Sequence, residues 1–163
     1  MRQVEVNSSA PAVSSASAAV NAPAGVVWDV LTDFESWPNW NESVSKTELK
    51  GDLTVGTTFV WVANGAKIVS MLEELDHPRR VAWTGRTLGI RAIHVWEFEE
   101  RDGGTLVRTS ESFEGLIVKL LRGMMKRMLS ETLQQSVLAL KREAEARHGA
   151  TQGHNTDEVA PVD

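Results

Sequence analysis

The chain has 163 residues, 42% of them hydrophobic and 24% charged, enough for one compact domain burying roughly 70% of its unfolded surface. Lysine and arginine number 17 against 22 aspartates and glutamates, and the resulting net charge of −5 argues against nucleic acid as a partner. Without cysteine there is no disulfide, thiol nucleophile or zinc–thiolate site, and the four histidines, at 77, 94, 148 and 154, are scattered, so neither a metal nor a cofactor is expected.

Residues 1–11, MRQVEVNSSAP, and residues 149–163, rich in glycine, polar and acidic residues, read as flexible tails around a single domain at 12–148. A first strand over 13–21 ends at Asn21-Ala22-Pro23, where proline favours a turn or the first turn of a helix. From Ala24, apolar residues at Val27, Val30, Leu31 and Phe34 have helical spacing, and Phe34 to Trp40 adds three aromatics and a proline, the mark of a second short helical turn or an ordered loop. Six extended stretches follow, at 43–50, 57–63, 66–75, 80–88, 90–100 and 104–114, separated by turn residues such as Asn64-Gly65, Gly89 and Asp102-Gly103. An antiparallel meander is the economical arrangement. After Gly115, a stripe through Ile117, Leu120, Leu121, Met124, Met128, Leu129, Leu133, Val137, Leu140 and Ala144 predicts one long helix over 116–147.

A curved sheet of this size has one apolar face, and the final helix is the only element long enough to cover it. The predicted class is therefore α+β: about seven antiparallel strands wrapped around a long C-terminal helix, with two short helices after the first strand. Helix and sheet need not fill the space between them, and such geometry encloses a pocket.

Three stretches carry a family likeness: Asn21 through Trp28, Leu31, Asp33, Phe34, Trp37-Pro38 and Trp40-Asn41; His77-Pro78-Arg79-Arg80-Val81-Ala82-Trp83; and Gly104-Thr105 through Glu111 to Gly115. With the element order, they resemble the helix-grip fold of the START-like or SRPBCC superfamily, particularly its polyketide cyclase/dehydrase branch. The resemblance implies a cavity for a hydrophobic ligand. It does not imply turnover, because the superfamily includes both aromatase/cyclases and carriers of lipids and hormones.

Strand alternation identifies the inward side chains. Ala92, His94, Trp96 and Phe98 oppose the charged set of the same strand, and equivalent reasoning turns Phe59 and Trp61, Val81 and Trp83, and Val107, Thr109, Glu111 and Phe113 inward. The expected ligand-binding set is Phe59, Trp61, Met71, Val81, Trp83, Arg86, Ala92, Trp96, Phe98, Thr109, Phe113, Leu121, Met124 and Met128. Tryptophans give flat apolar walls or plain core, methionines give deformable filling, and Arg86 suits a ligand carboxylate at the mouth or a solvated strand edge. His94 and Glu111 share one inner face on neighbouring strands and are the candidate catalytic pair: a proton-transfer couple, or a structural polar contact.

On the last helix, Lys119, Arg122, Lys126 and Arg127 form a basic stripe, read either as a solvated face or as a membrane-docking one, and Gly123 marks a close approach or a bend beside the cavity, or a tolerated exposed position. Phosphate loops, nucleophile elbows and His-Glu-x-x-His motifs are absent from the sequence. No apolar run reaches the ~20 residues that span a bilayer, and the N-terminus lacks signal-peptide order, so the expected place is the cytoplasm without stable membrane insertion. No pattern specifies an oligomeric state. Three readings follow: a binder of a polyketide, lipid or aromatic metabolite; a cyclase/dehydrase using His94 and Glu111; or a protein-interaction module with a vestigial pocket.

Overall fold

A computed structural model describes residues 3–155. Seven strands form one antiparallel sheet: β1 (Ala12–Val20), β2 (Val44–Leu49), β3 (Thr58–Ala63), β4 (Ala66–Asp76), β5 (Arg80–Thr87), β6 (Ile90–Arg101) and β7 (Gly104–Glu114). Their spatial order is β1-β7-β6-β5-β4-β3-β2, a meander whose first strand closes on the last. Three two-residue hairpins hold it: Asn64-Gly65, Leu88-Gly89 and Asp102-Gly103 each place both residues at positive φ, the conformation that matches the twist of the flanking strands. Asparagine and aspartate accept that geometry readily. Leu88, at φ 44°, does so at a cost of roughly 1–2 kcal/mol.

Helix α1 (Ala24–Thr32), a 3₁₀ turn at Phe34–Ser36 and the single turn α2 (Trp37–Trp40) lie between β1 and β2. They bury Val27, Val30, Leu31, Phe34 and Trp37 against Phe59, Val81, Trp83, Phe98 and Val107 of the sheet, and Val137, Leu140 and Ala144 of the last helix complete this core. A second, smaller cluster of Ala12, Val118, Met125, Leu129 and Leu133 ties the start of that helix to β1. The core therefore fills one end of the sheet's concave face and leaves the other end less densely packed.

Two expectations need correction. The last helix is not continuous: α3 (Leu116–Leu120) and α4 (Arg122–Asn155) meet at Leu121, whose φ and ψ of −109° and 32° interrupt the helix. Gly115 sets this geometry. Its φ is +143°, and a Cβ there would stand 2.5 Å from the Gly89 carbonyl oxygen, so α3 begins pressed against the β5–β6 hairpin. Gly123 is exposed, a Cβ there would meet nothing within 4 Å, and the interruption falls two residues before it, so Gly123 marks neither a close approach nor the bend. The helix also runs on through Asn155, into the stretch expected to be a tail; residues 156–163 of that expected tail lie outside the described residues.

The N-terminal segment is the second correction. Residues 4–10 do not extend away from the domain but cross the outer face of the sheet as a strap. The Val4 N–H donates to Glu74 Oε2 at 2.8 Å, the Asn7 N–H donates to Ser112 Oγ at 3.1 Å, and the Asn7 side-chain amide donates to Glu114. Arg80 donates to the Val4 carbonyl and pairs with Glu5 at 3.3 Å. A bulge between Leu72 and Glu74 turns Glu74 outward to join them.

Candidate functional site

Between the unfilled end of the sheet and the first turns of α4 lies a cavity of about 320 Å³. β3 and β4 supply Trp61, Ala63, Ile68 and Ser70; β5 and β6 supply Trp83, Gly85, Arg86, Ala92 and His94; β7 supplies Glu111 and Phe113; and α4 closes it with Met125, Met128, Leu129 and Leu133. Exposed Asn64, Arg86, Leu88 and Met128 mark its mouth, between two hairpin turns and the start of α4.

The polar interior centres on His94 and Glu111, which face each other across β6 and β7 in direct register. His94 lies between Trp83, centroid distance 4.8 Å, and Trp96, stacked at 5.3 Å. Its Nε2 is 2.7 Å from Thr109 Oγ1, and that hydroxyl donates its one hydrogen to the Val95 carbonyl at 3.3 Å. The hydroxyl must then accept from Nε2–H, which assigns the tautomer and leaves Nδ1 with a lone pair. This Nδ1 is buried without a hydrogen-bond partner, 3.6 Å from Glu111 Oε1.

Burial determines the charge state of both groups. It pushes His94 down to about 3 and Glu111 up to about 8, each because an ion in this apolar setting loses its hydration. Near neutral pH the pair is thus an uncharged imidazole beside a protonated carboxyl, and Glu111 offers the cavity an O–H donor. A proton moved from the carboxyl to Nδ1 would leave two opposite charges 3.6 Å apart in place of an isolated buried ion. That is the property a general acid/base couple needs.

The expected ligand-binding set divides by height along the strands. Trp61, Trp83, Arg86, Ala92, Phe113 and Met128 line the cavity with His94 and Glu111. Trp96 instead borders a hollow of about 30 Å³ beneath it. Phe59, Val81 and Phe98 point inward as their parity requires but are sealed in the core under α1, and Thr109 lies behind His94 as its hydrogen-bond partner. These four are corrected from wall to support, because alternation gives a face of the sheet and not a position along it.

Met71, Leu121 and Met124 fail for other reasons. Met71 pairs with Thr58 and Thr84 on the outer face, where all three border an external groove. Leu121 and Met124 face solvent because the interruption at Leu121 resets the helical phase and brings Met125 inward in place of Met124. The omitted lining residues Ile68 and Ser70 follow from alternation on β4, a signal present in the sequence. Met125 carries no such signal, because only the interruption at Leu121 turns it inward.

Residues 11–145 match the protein family described as polyketide cyclase / dehydrase and lipid transport. The chain belongs to this family. No curated protein matches the sequence. Among solved structures, a hypothetical protein of Helicobacter pylori is similar with a TM-score of 0.77 at 16% identity, over 88% of this chain and 98% of that one. The Zhui aromatase/cyclase of Streptomyces sp. R1128 aligns with a TM-score of 0.72 at 18% identity, covering 83% of this chain and 94% of its own. A START superfamily protein of Mycobacterium smegmatis gives 0.59 at 16%, covering 78% and 98% respectively. At these identities the likeness is one of fold: the helix-grip architecture of this polyketide cyclase/dehydrase and lipid-transport family member is shared with START-like proteins.

Proposed function

We propose that this protein binds a hydrophobic small molecule, a polyketide, lipid or aromatic metabolite, in the cavity between sheet and α4, with Glu111 donating a hydrogen bond to an uncharged acceptor such as a ligand carbonyl. The observation that carries this reading is the cavity itself. Its volume, about 320 Å³, falls at the lower end of the ~300–1,000 Å³ range of small-molecule sites, and it combines apolar walls with one protonated carboxyl. A vestigial pocket in a protein-interaction module would leave no such space. Affinity would come from apolar burial at about 25 cal/mol per Å², and orientation from Glu111.

Native mass spectrometry of freshly purified protein is expected to reveal an apolar adduct. Ala92→Phe, which projects an aromatic ring into the cavity, should lose it and should bind an apolar fluorescent probe at least about tenfold more weakly, at a stability cost of about 1–3 kcal/mol. A wild-type protein that repeatedly carries no adduct and binds the probe no better than the variant would overturn the reading.

One observation favours a catalytic version: His94 Nδ1 is an unpartnered buried acceptor aimed at Glu111. In a cyclisation or dehydration, His94 Nδ1 would take a proton from the substrate carbon next to the carbonyl while Glu111 protonates the carbonyl or departing hydroxyl oxygen, and the proton would then pass from the imidazolium to the Glu111 carboxylate, restoring both groups. Under that reading His94→Ala lowers turnover by about 10²-fold or more with ligand binding retained, whereas in a pure binder the same change alters affinity only modestly. Single-turnover assays on polyketide-like substrates, run beside equilibrium binding, separate the two.

A further inference from the structure

The apolar stripe that opens the last helix is not buried. Leu116 is 74% and Leu120 75% exposed, and Ile117, Leu121, Met124 and Met128 are also exposed; Leu88 on the adjoining β5–β6 hairpin is 83% exposed. The close approach of Gly115 to Gly89 places the start of α3 beside that hairpin, and Leu88 and Met128 border the cavity mouth, so the exposed stripe adjoins the opening as an apolar rim on its α3 side. Leu88 occupies a left-handed backbone position that asparagine or glycine fills with less strain, and it buries nothing there in return.

Charge is segregated onto the same rim. Residues 115–130 contain Lys119, Arg122, Lys126 and Arg127 and no acid, in a chain whose net charge is −5. Lys119, Arg122 and Lys126 make no ion pair among the described residues, and all four cations are exposed. Exposed aliphatic side chains flanked by unpaired cations match an anionic bilayer surface, where the leucines enter the acyl boundary and the ammonium and guanidinium groups stay among the headgroups. A protein partner fits less well. Interface hot spots centre on aromatic anchors in pockets, and this rim has no aromatic residue and its leucines protrude.

We infer that the cavity mouth is a docking face for anionic membranes, with Leu88, Leu116 and Leu120 entering the interface and Lys119, Arg122 and Lys126 engaging the headgroups. This rests on the proposed binding of an apolar ligand, which would then pass between bilayer and cavity without crossing water. Each basic residue near such a surface contributes about fivefold to partitioning, and the attraction weakens as salt shortens the Debye length.

The test is co-sedimentation of the full chain with vesicles of phosphatidylcholine alone and of an equal mixture of phosphatidylcholine and phosphatidylserine. The protein is expected to pellet with the anionic vesicles and not the neutral ones, and to be released at about 1 M salt. Leu116→Ser/Leu120→Ser should weaken binding at least about tenfold with unchanged circular dichroism, since both side chains are exposed. Lys119→Glu/Lys126→Glu should do the same. Failure to pellet with either vesicle, or a leucine double variant that binds as tightly as wild type, would sink the inference. So would a concentration-dependent dimer abolished by the leucine changes, with no vesicle binding, because a second copy would then be the occupant. Ligand content is measured separately by native mass spectrometry. Protein that carries an adduct yet ignores vesicles refutes the docking alone; protein that docks and never carries an adduct refutes the ligand reading alone.

Discussion

Glu111→Gln is expected to make stability insensitive to pH between 6.5 and 8, where the wild-type protein should lose about 1.4 kcal/mol per pH unit from this one carboxyl. Glu111 has a folded-state pKa near 8 against an ordinary 4.5, so the folded chain keeps a proton that the unfolded chain releases. Its stabilising contribution is complete below 4.5 and is lost as pH rises through 8. His94 has the opposite sign: held near 3 against an ordinary 6.5, it contributes fully above 6.5 and loses that contribution as pH falls towards 3. Between 4.5 and 6.5 the two slopes cancel, and above 6.5 only the carboxyl acts. Glutamine keeps the shape and removes the titration. His94→Gln gives the mirror result, a stability that falls steadily from pH 4.5 to 8. Urea unfolding across this pH range measures both. Parallel wild-type and Glu111→Gln curves between 6.5 and 8 would mean that the carboxyl is ionised in the fold, and the cavity would then present an anion instead of a donor.

That charge state follows from features that were legible in the sequence only in part. Alternation on β6 and β7 put His94 and Glu111 on one inner face, and their direct register in the sheet meets that expectation. The turn residues located all six meander strands, because positive φ at Asn64-Gly65 and Asp102-Gly103 is a local demand that local sequence meets. What separates cavity from core is not local. Phe59 and Trp61 share a face of β3 two residues apart, yet Phe59 is sealed against Phe34 at 4.5 Å, whereas Trp61 meets Trp37 on one side and reaches open space on the other. The difference lies in where α1 and α2 dock, which no periodicity records.

The last helix illustrates the same limit. Its stripe from Ile117 to Met128 is apolar at helical spacing, and spacing identifies a face without saying what covers it. The fold buries Val118 and Met125 and exposes Leu120 and Met124, because Gly115 fixes the direction in which α3 leaves the sheet and the chain re-enters a helix only after Leu121. An apolar stripe left uncovered at a cavity mouth is a different functional object from a core stripe, although the two have the same pattern in sequence.

Deleting residues 1–9 is expected to cost about 2–4 kcal/mol, although their composition reads as a tail whose loss would cost almost nothing. The strap covers the outer sheet face where Ala82, Val95 and Ser112 are nearly inaccessible, and it donates three hydrogen bonds to the sheet, from Val4 and Asn7, each worth about 1 kcal/mol net. It also buries Arg80, which is 4% exposed and has Glu5, Glu74 and Glu97 within 4.0 Å. Arg80→Ala in the full chain should be at least as costly, about 3–5 kcal/mol, because it strands Glu74 and the Val4 carbonyl under the strap. The combination is the decisive measurement. Once the strap is gone, water reaches Arg80 and Glu74, so Arg80→Ala should cost about 1 kcal/mol or less in the truncated chain, and the two effects will not add. Denaturant unfolding of the four proteins tests this. Additive losses would place Arg80 and the strap in separate structural units, and a truncation costing under about 0.5 kcal/mol would return the first residues to the role their composition implies.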